Sequence, residues 1–448
     1  MERLMTVVVP IYNSEEFLRE CLDSILCQTF QNFELICIDD GSEDSSVEII
    51  KEYMNSDSRI TLLKQQHKGA GAARNLGLDN ASGQYIIFLD SDDFFDSTMF
   101  EKMYNRAVET DADIVMCGCK IYDTKTRIFR NPIAGLQVQL LPKQEVFSKD
   151  DIPEHIFQIA SGWPWDKLYK LEFIKRKKVF FQEIMVVNDG LFVDIAAAEA
   201  ERIAVVKEQL VSYRINSGTS ITANRFLHWH CIFDMIYEKQ VQLRKRGYYE
   251  LLKQSYINNA LELLLVWVEK FNVVEGYQAF FDCLNELIER LEIKDYPKEF
   301  YYSEDMYLCI KEIQKSSAVE FWMKRKENNL NTYINYINQM RNNKIWYFPQ
   351  ERFEGGSRFL VYGYGDVGKD FCKQIINSKS MKLVAAIDQK YEMYQDEEIV
   401  VIGIDKIYQY TYDYLVIAIL DSDVAEKVKK DLLLRNVVEE KIIWIDMN

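Results

Sequence analysis

The sequence predicts an α/β protein, with a doubly wound domain first, helices in the middle and a small α/β domain last. Three observations predict it. Continuous apolar, β-branched runs alternate with segments whose apolar residues recur every three or four positions. Acidic clusters stand immediately after those runs, and ligands of doubly wound sheets bind at the carboxyl ends of strands. After a turn-rich stretch at residues 349–357 (PQERFEGGS), the strand–helix alternation begins again.

Residues 4–12 (LMTVVVPIY) predict a buried parallel strand. Ser14 then caps a helix whose Phe17, Leu18, Cys21, Leu22 and Ile25 keep the helical period. Residues 33–38 form a second strand that ends in Asp39-Asp40-Gly41-Ser42. A helix from about Ser45, a strand near 60–63 and a helix over 71–80 follow. The strand at 85–89 ends in Asp90-Ser91-Asp92. Short strands at 114–118 and 211–215 and helices near 165–176 and 190–200 continue the pattern. Residues 225–343 read as helical, with Asn258, Leu261, Leu264, Leu265 and Val268 along one face.

Beyond the linker, a strand at 358–362 leads into Gly363-Tyr364-Gly365-Asp366-Val367-Gly368 and a helix to 376. A strand at 382–387 ends in Asp388, followed by strands at 399–402, 414–419 and 441–445 and a helix at 424–434. The expected division is residues 1–222, a helical region 223–348, and a Rossmann-like domain 357–448.

The formal net charge of −16 argues against a nucleic-acid partner, because phosphate backbones need a basic surface. One local exception is Lys175-Arg176-Lys177-Lys178, either a solvated helix end or a contact for anionic headgroups. Nine scattered cysteines without metal-ligand spacing predict reduced thiols, with Cys117 and Cys119 on one face of a strand. Met1-Glu2-Arg3 runs straight into a strand, so the expected setting is cytoplasmic, without a signal peptide or membrane span.

Hard divalent cations bind carboxylates and take phosphate oxygens as further ligands. Asp90 and Asp92 supply two carboxylates in one short turn after a buried strand, with Asp39-Asp40 on a neighbouring strand end. Capping of the helix near Ser97 is the plainer alternative for this pair.

Residues 6–93 resemble the bacterial family 2 glycosyltransferases, which have the GT-A fold. The matching motifs are Val9-Pro10-Ile11-Tyr12-Asn13 with Glu15, Asp39-Asp40-Gly41-Ser42-Glu43-Asp44, Gly69-Ala70-Gly71-Ala72-Ala73-Arg74-Asn75, and Asp90-Ser91-Asp92-Asp93. The likeness continues more loosely to about residue 222. It implies an inverting transfer of a hexosyl or N-acetylhexosaminyl group from a UDP-sugar to a glycan or lipid-linked hydroxyl. The expected setting is surface polysaccharide assembly, with a peripheral contact at the inner membrane face. Pro10, Tyr12, Asn13 and Glu15 would line the nucleotide pocket, with Asp40 and Ser91 beside them. Asp39 would accept the N3–H of uracil. Arg74 would sit near base and diphosphate. Asp90 would reach the ribose and, with Asp92, hold Mn²⁺ or Mg²⁺.

By the same resemblance, Asp189 in Val187-Asn188-Asp189-Gly190-Leu191-Phe192 is the expected base. Asn188 departs from the family's acidic pair. Trp163 or Trp165 would lie under an acceptor sugar, although core packing explains either ring equally well. Arg214, in Tyr213-Arg214-Ile215-Asn216-Ser217-Gly218-Thr219-Ser220, would approach the leaving diphosphate. Some relatives place a metal-binding His in that loop; here His228 and His230 read as structural. Gly363, Gly365, Gly368 and Asp388 have the spacing of a dinucleotide fingerprint. Three readings of that last segment remain: a ligand-binding module, an oligomerising module, or an NAD(P)-dependent domain. A catalytically silent sugar-nucleotide sensor is the alternative for the whole chain.

Overall fold

A computed structural model of the protein describes residues 3–131, 135–215, 228–270, 277–325, 346, 348–349, 352–353, 356–378, 381–394 and 399–445. The motif residues 216–220, the boundary expected at 222 and parts of the 349–357 linker lie outside the described residues. No helix among the described residues is long and apolar enough to cross a membrane. The chain divides into two compact units, Met1–Asp123 with Arg130–Arg325, and Thr124–Phe129 with Lys326–Asn448.

The first unit opens β1 (Met5–Ile11), α1 (Leu18–Leu26), β2 (Phe33–Asp39), α2 (Ser46–Ser56), β3 (Ile60–Lys64), α3 (Ala70–Asn80) and β4 (Tyr85–Phe88). It continues through β5 (Phe94–Phe95), α4 (Met99–Thr110), β6 (Ile114–Asp123), β7 (Ile128–Arg130, whose first two residues are counted with the second unit), β8 (Val146–Phe147), β9 (Lys167–Lys170) and α5 (Leu171–Lys177). Then come α6 (Gly190–Glu199), β10 (Ile203–Ile215), α7 (His230–Lys245), α8 (Tyr249–Lys270), α9 (Tyr277–Arg290) and α10 (Glu304–Ile313). Among the described residues the strands form a ten-stranded sheet whose main path runs β3-β2-β1-β4-β9-β6-β10-β5. β1 is parallel to β2, pairing Met5 with Phe33 through Ile11 with Asp39, and parallel to β4, pairing Val8 with Phe88. The carboxyl ends of β1, β2 and β4 therefore open on one edge, which positions the site.

Two sequence expectations change here. Residues 167–170 were expected to begin a helix, but they form β9, antiparallel to both β4 and β6. Tyr169 and Leu168 pack on opposite faces of the sheet, so alternation overrides the helical pattern that resumes at Leu171. Ser14 does not cap α1, which starts at Leu18 after Phe17; its hydroxyl instead meets Ser91 Oγ at 2.7 Å.

Strand alternation divides the core. Val7, Val9 and Ile11 face α1 and α4 through Leu22, Ile25, Phe100 and Met103. Val8 faces the other side, where Ala73, Phe173 and Phe192 pack. The helices of the middle region join that second cluster through Ile232, Tyr256, Leu264, Phe281 and Ile310. Cys117 and Cys119 share the first cluster, and all nine cysteines are free thiols. The basic run ends α5 and complements the helix dipole, with Lys177 Nζ 2.8 Å from Glu199.

A buried cation ties the middle region to the sheet's helices. Lys239 Nζ donates to Asp194 Oδ2 at 2.6 Å and to Asn259 Oδ1 at 2.9 Å, so α7 holds both α6 and α8. The lysine is 1% exposed. Lys239→Ala strands the Asp194 carboxylate, an expected loss of about 3–5 kcal/mol in urea unfolding. A loss below about 1 kcal/mol, the size of an ordinary substitution, would show that the pair does not clamp the helices.

The second unit holds β11 (Arg358–Tyr362), α11 (Asp366–Asn377), β12 (Lys382–Ile387), β13 (Val401–Ile402), β14 (Tyr414–Ile417), α12 (Ser422–Leu434) and β15 (Ile442–Trp444). Among the described residues its five parallel strands run β13-β12-β11-β14-β15, so strand order reverses between β11 and β14. Apolar clusters cover both faces, with Val361 and Phe371 in one and Leu360 and Leu432 in the other.

Candidate active site

A cavity of about 460 Å³ opens at the carboxyl edge of β1, β2 and β4. Its walls include Pro10 near the end of β1, Tyr12 and Asn13 after it, Asp40 after β2, Arg74 from α3, and Asp90, Ser91 and Asp92 after β4. Eight expected residues from four separated motifs thus meet in one concavity, and Arg214 joins them from β10. Glu16, Phe17, His67, Met185, Tyr213 and His228 also line it, and none of these was singled out as a site residue. His228, expected to be structural, is one of the residues lining this cavity. No spacing rule links residue 228 to residue 92, so only folding brings them together.

Two expected ligand residues stand outside the cavity's lining. Asp39 does not line the cavity: it is buried, and its Oδ1 accepts the Ser42 backbone N–H at 3.0 Å. Glu15 does not line it either. Its carboxylate accepts the Ser45 N–H at 3.0 Å while the Glu15 N–H donates to Asp44 at 2.9 Å, stitching the β1 loop to the start of α2. Both acids satisfy backbone donors that the turns leave open, which a sequence pattern does not distinguish from ligand contacts.

Arg74 bridges three elements. Its guanidinium donates to Asp90 Oδ1 at 2.7 Å and to Asn188 Oδ1 at 2.8 Å, and lies 5.4 Å from the Phe181 ring centre. It is therefore a buried ion pair rather than a surface one, 4% exposed. The close approach depends on Gly71, where a Cβ would stand 2.2 Å from the Gln182 carbonyl oxygen. Val187 holds φ at +54°, a region β-branched residues rarely enter, immediately before Asn188 and Asp189. Asp189 opens α6 without capping it and, like Asp39 and Glu15, is not among the residues that line the cavity. Burial raises its carboxyl above the usual range, Arg74 opposes this, and Asp90 adds to it.

The acidic loop is crowded with like charge. Burial, then Asp90, pushes Asp92 up to about 6. Asp93 is raised further by burial, then by Asp92 and Asp90. Its Oδ1 accepts the Arg214 N–H at 2.7 Å, and its buried Oδ2 has no partner. Arg214 braces this loop: Nε donates to the Asp92 carbonyl at 2.7 Å, and its other arm pairs with Glu20 at 2.6 Å. A divalent cation fits this donor set, because it would relieve the repulsion that lifts the Asp92 carboxyl.

On the remaining side, Trp163, Trp165 and Tyr213 stack on one another, with ring centres 4.8 to 5.6 Å apart. Trp165 is 1% exposed and belongs to the core, so Tyr213 is the member that reaches the cavity. In the second unit, Gly363 takes φ +95°, and a Cβ on Gly368 would stand 1.7 Å from the Gly363 carbonyl oxygen. Gly365 has open space where a Cβ would be. Asp388 accepts the Tyr364 N–H at 2.9 Å and the Lys390 N–H at 2.8 Å, so both its oxygens hold the glycine turn and the next loop.

Comparison with known proteins agrees with this arrangement. The family model described as "Glycosyl transferase family 2" matches residues 6–163, and one described as "C2185-like, N-terminal" matches residues 355–443. Glycosyltransferase GlyA of Streptococcus pneumoniae serotype 4 is 32% identical over 250 residues, 54% of this chain and 35% of its own length. Glycosyltransferase GlyG of the same organism is 34% identical over 251 residues, 54% of this chain and 80% of its own. The match thus spans about a third of GlyA and four fifths of GlyG. Among solved structures, S. aureus TarS 1-349 in complex with UDP-GlcNAc superimposes at a TM-score of 0.58, with 18% identity, covering 73% of this chain and 92% of TarS 1-349. With its strand-end cavity, its match across most of GlyG and its likeness in fold to TarS, the chain belongs to glycosyl transferase family 2 and is a glycosyltransferase of GT-A fold.

Proposed function

We propose that this enzyme transfers a hexosyl or N-acetylhexosaminyl group from a UDP-sugar to a hydroxyl of a glycan or lipid-linked acceptor, with inversion, in surface polysaccharide assembly. One observation carries the reading: Asp90 and Asp92, Arg74, and Tyr12, from three separate motifs, line one cavity. TarS, which has the same fold, binds UDP-GlcNAc, so the fold accommodates such a donor. Asp90 and Asp92 would hold Mn²⁺ or Mg²⁺, with the imidazole of His228 as a further donor on the same cavity. A cation held there would supply neutralisation of the charge that grows on the leaving diphosphate. Arg74 holds Asp90 and fixes the start of α6 through Asn188. Asp189 then accepts the proton of the attacking hydroxyl, and its raised carboxyl suits a base.

No second carboxylate is assigned to nucleophilic attack, so the hydroxyl displaces the diphosphate directly. An α-linked donor therefore yields a β-linked product, read from the anomeric coupling in the product's NMR spectrum; an α-linked product overturns the displacement. The donor is found by thermal shift with Mn²⁺ and UDP-Glc, UDP-Gal, UDP-GlcNAc and UDP-GalNAc. A ligand at 100 times its Kd adds about 2.7 kcal/mol of stability, which is readily measured. Silence across that panel, with no donor hydrolysis, would favour a different nucleotide.

A further inference from the structure

Asp40 lines the cavity, yet its carboxylate is already surrounded by donors. Oδ1 accepts from Gln65 Nε2 at 2.7 Å and from the Lys68 N–H at 2.8 Å. Oδ2 accepts the Gly69 N–H at 2.8 Å and stands 3.0 Å from His67 Nδ1. His67 Nδ1 also lies 3.2 Å from the Asp40 carbonyl oxygen. Both neighbours of that nitrogen are acceptors, so Nδ1 carries the proton and the ring's plane is fixed. The fixed ring stacks on Tyr12, with centres 4.1 Å apart and planes inclined by 25°. No base fits between rings at that separation. Tyr12 is nevertheless 40% exposed, and the His67 side chain is 42% exposed, so the two-ring stack keeps an open surface within the cavity.

We infer that His67 is a positioning residue for the nucleobase of the donor: tethered to Asp40, it holds Tyr12 in a preformed stack that the base extends. The inference rests on the nucleotide-donor reading above and deepens it. Asp40 thereby acts on the ligand through His67 rather than by contact. Without the tether Tyr12 would have to be ordered when the ligand binds, and that cost would appear as weaker affinity. The contribution concerns the base alone, since no other part of UDP offers an aromatic ring to the face of this stack.

The test is calorimetric titration of the full chain in saturating Mn²⁺ with two probes, UDP and inorganic pyrophosphate. His67→Ala should weaken UDP about 10-fold, the upper range for one aromatic pair, and leave pyrophosphate unchanged. His67→Phe keeps a ring against Tyr12 and should recover part of the loss. In turnover the same loss should appear in the donor KM, with kcat held. UDP binding to His67→Ala at wild-type strength overturns the inference. So does an equal loss for pyrophosphate, which would mean that His67 only orders the loop before α3. Wild-type protein that binds pyrophosphate but not UDP would instead refute the donor reading beneath it.

Discussion

Asp189→Asn should lower kcat by roughly 10²–10⁴-fold, the range for losing a positioned general base, while UDP affinity stays near the wild-type value. The amide keeps the shape at the start of α6 but accepts no proton. The pH profile supplies an independent check. A base works when ionised, and burial, reinforced by Asp90 against the pull of Arg74, holds the Asp189 carboxyl above its ordinary value. Activity is thus present above that raised pKa and is lost as pH falls through it. The acidic limb of kcat/KM should lie above the ordinary Asp range, about 3.9, and should vanish or move in the variant. An Asp189→Asn enzyme that turns over like the wild type would remove the base assignment. Asn188 would then need attention as the residue that reaches Arg74 directly.

Asp92→Ala should abolish the response to Mn²⁺. Stabilising the departing diphosphate is worth several kcal/mol, so transfer and donor hydrolysis should fall by at least about 10³-fold. The fold should survive, because the wild-type loop is destabilised by its own charges: Asp92 is pushed up to about 6 by burial and then by Asp90. Removing one carboxylate relieves that repulsion, and unfolding in EDTA should show the variant at least as stable as the wild type. His228→Ala is the milder companion, expected to raise the Mn²⁺ concentration for half-maximal activity without changing the plateau. Equal Mn²⁺-dependent activity in wild type and Asp92→Ala would eliminate the metal claim.

Much of the first unit was legible because its signals are local. Val7, Val8 and Val9 are β-branched and apolar on both sides, which marks a strand buried between layers, and they occupy β1 with both faces covered. Parallel pairing then carries the ends of β1, β2 and β4 to one edge, so acids just after those strands converge. Residues 167–170 were misread because four residues are too few to separate a strand from the first turn of the helix that follows.

By itself the sequence determined that Asp40, Asp90 and Asp92 would stand at the ends of neighbouring strands, and its family resemblance added Arg74 and Tyr12 to the same pocket. Only the tertiary structure decided how each acid is used. Asp39 and Glu15 turn to backbone N–H groups. Asp40 tethers His67, and Arg214 braces the acidic loop from a strand more than a hundred residues away. His228 reaches the cavity from the far side of β10 in sequence. The physical reason is that a carboxylate's partner is set by which donors lie within about 3 Å, and that distance follows from packing among residues remote in the chain.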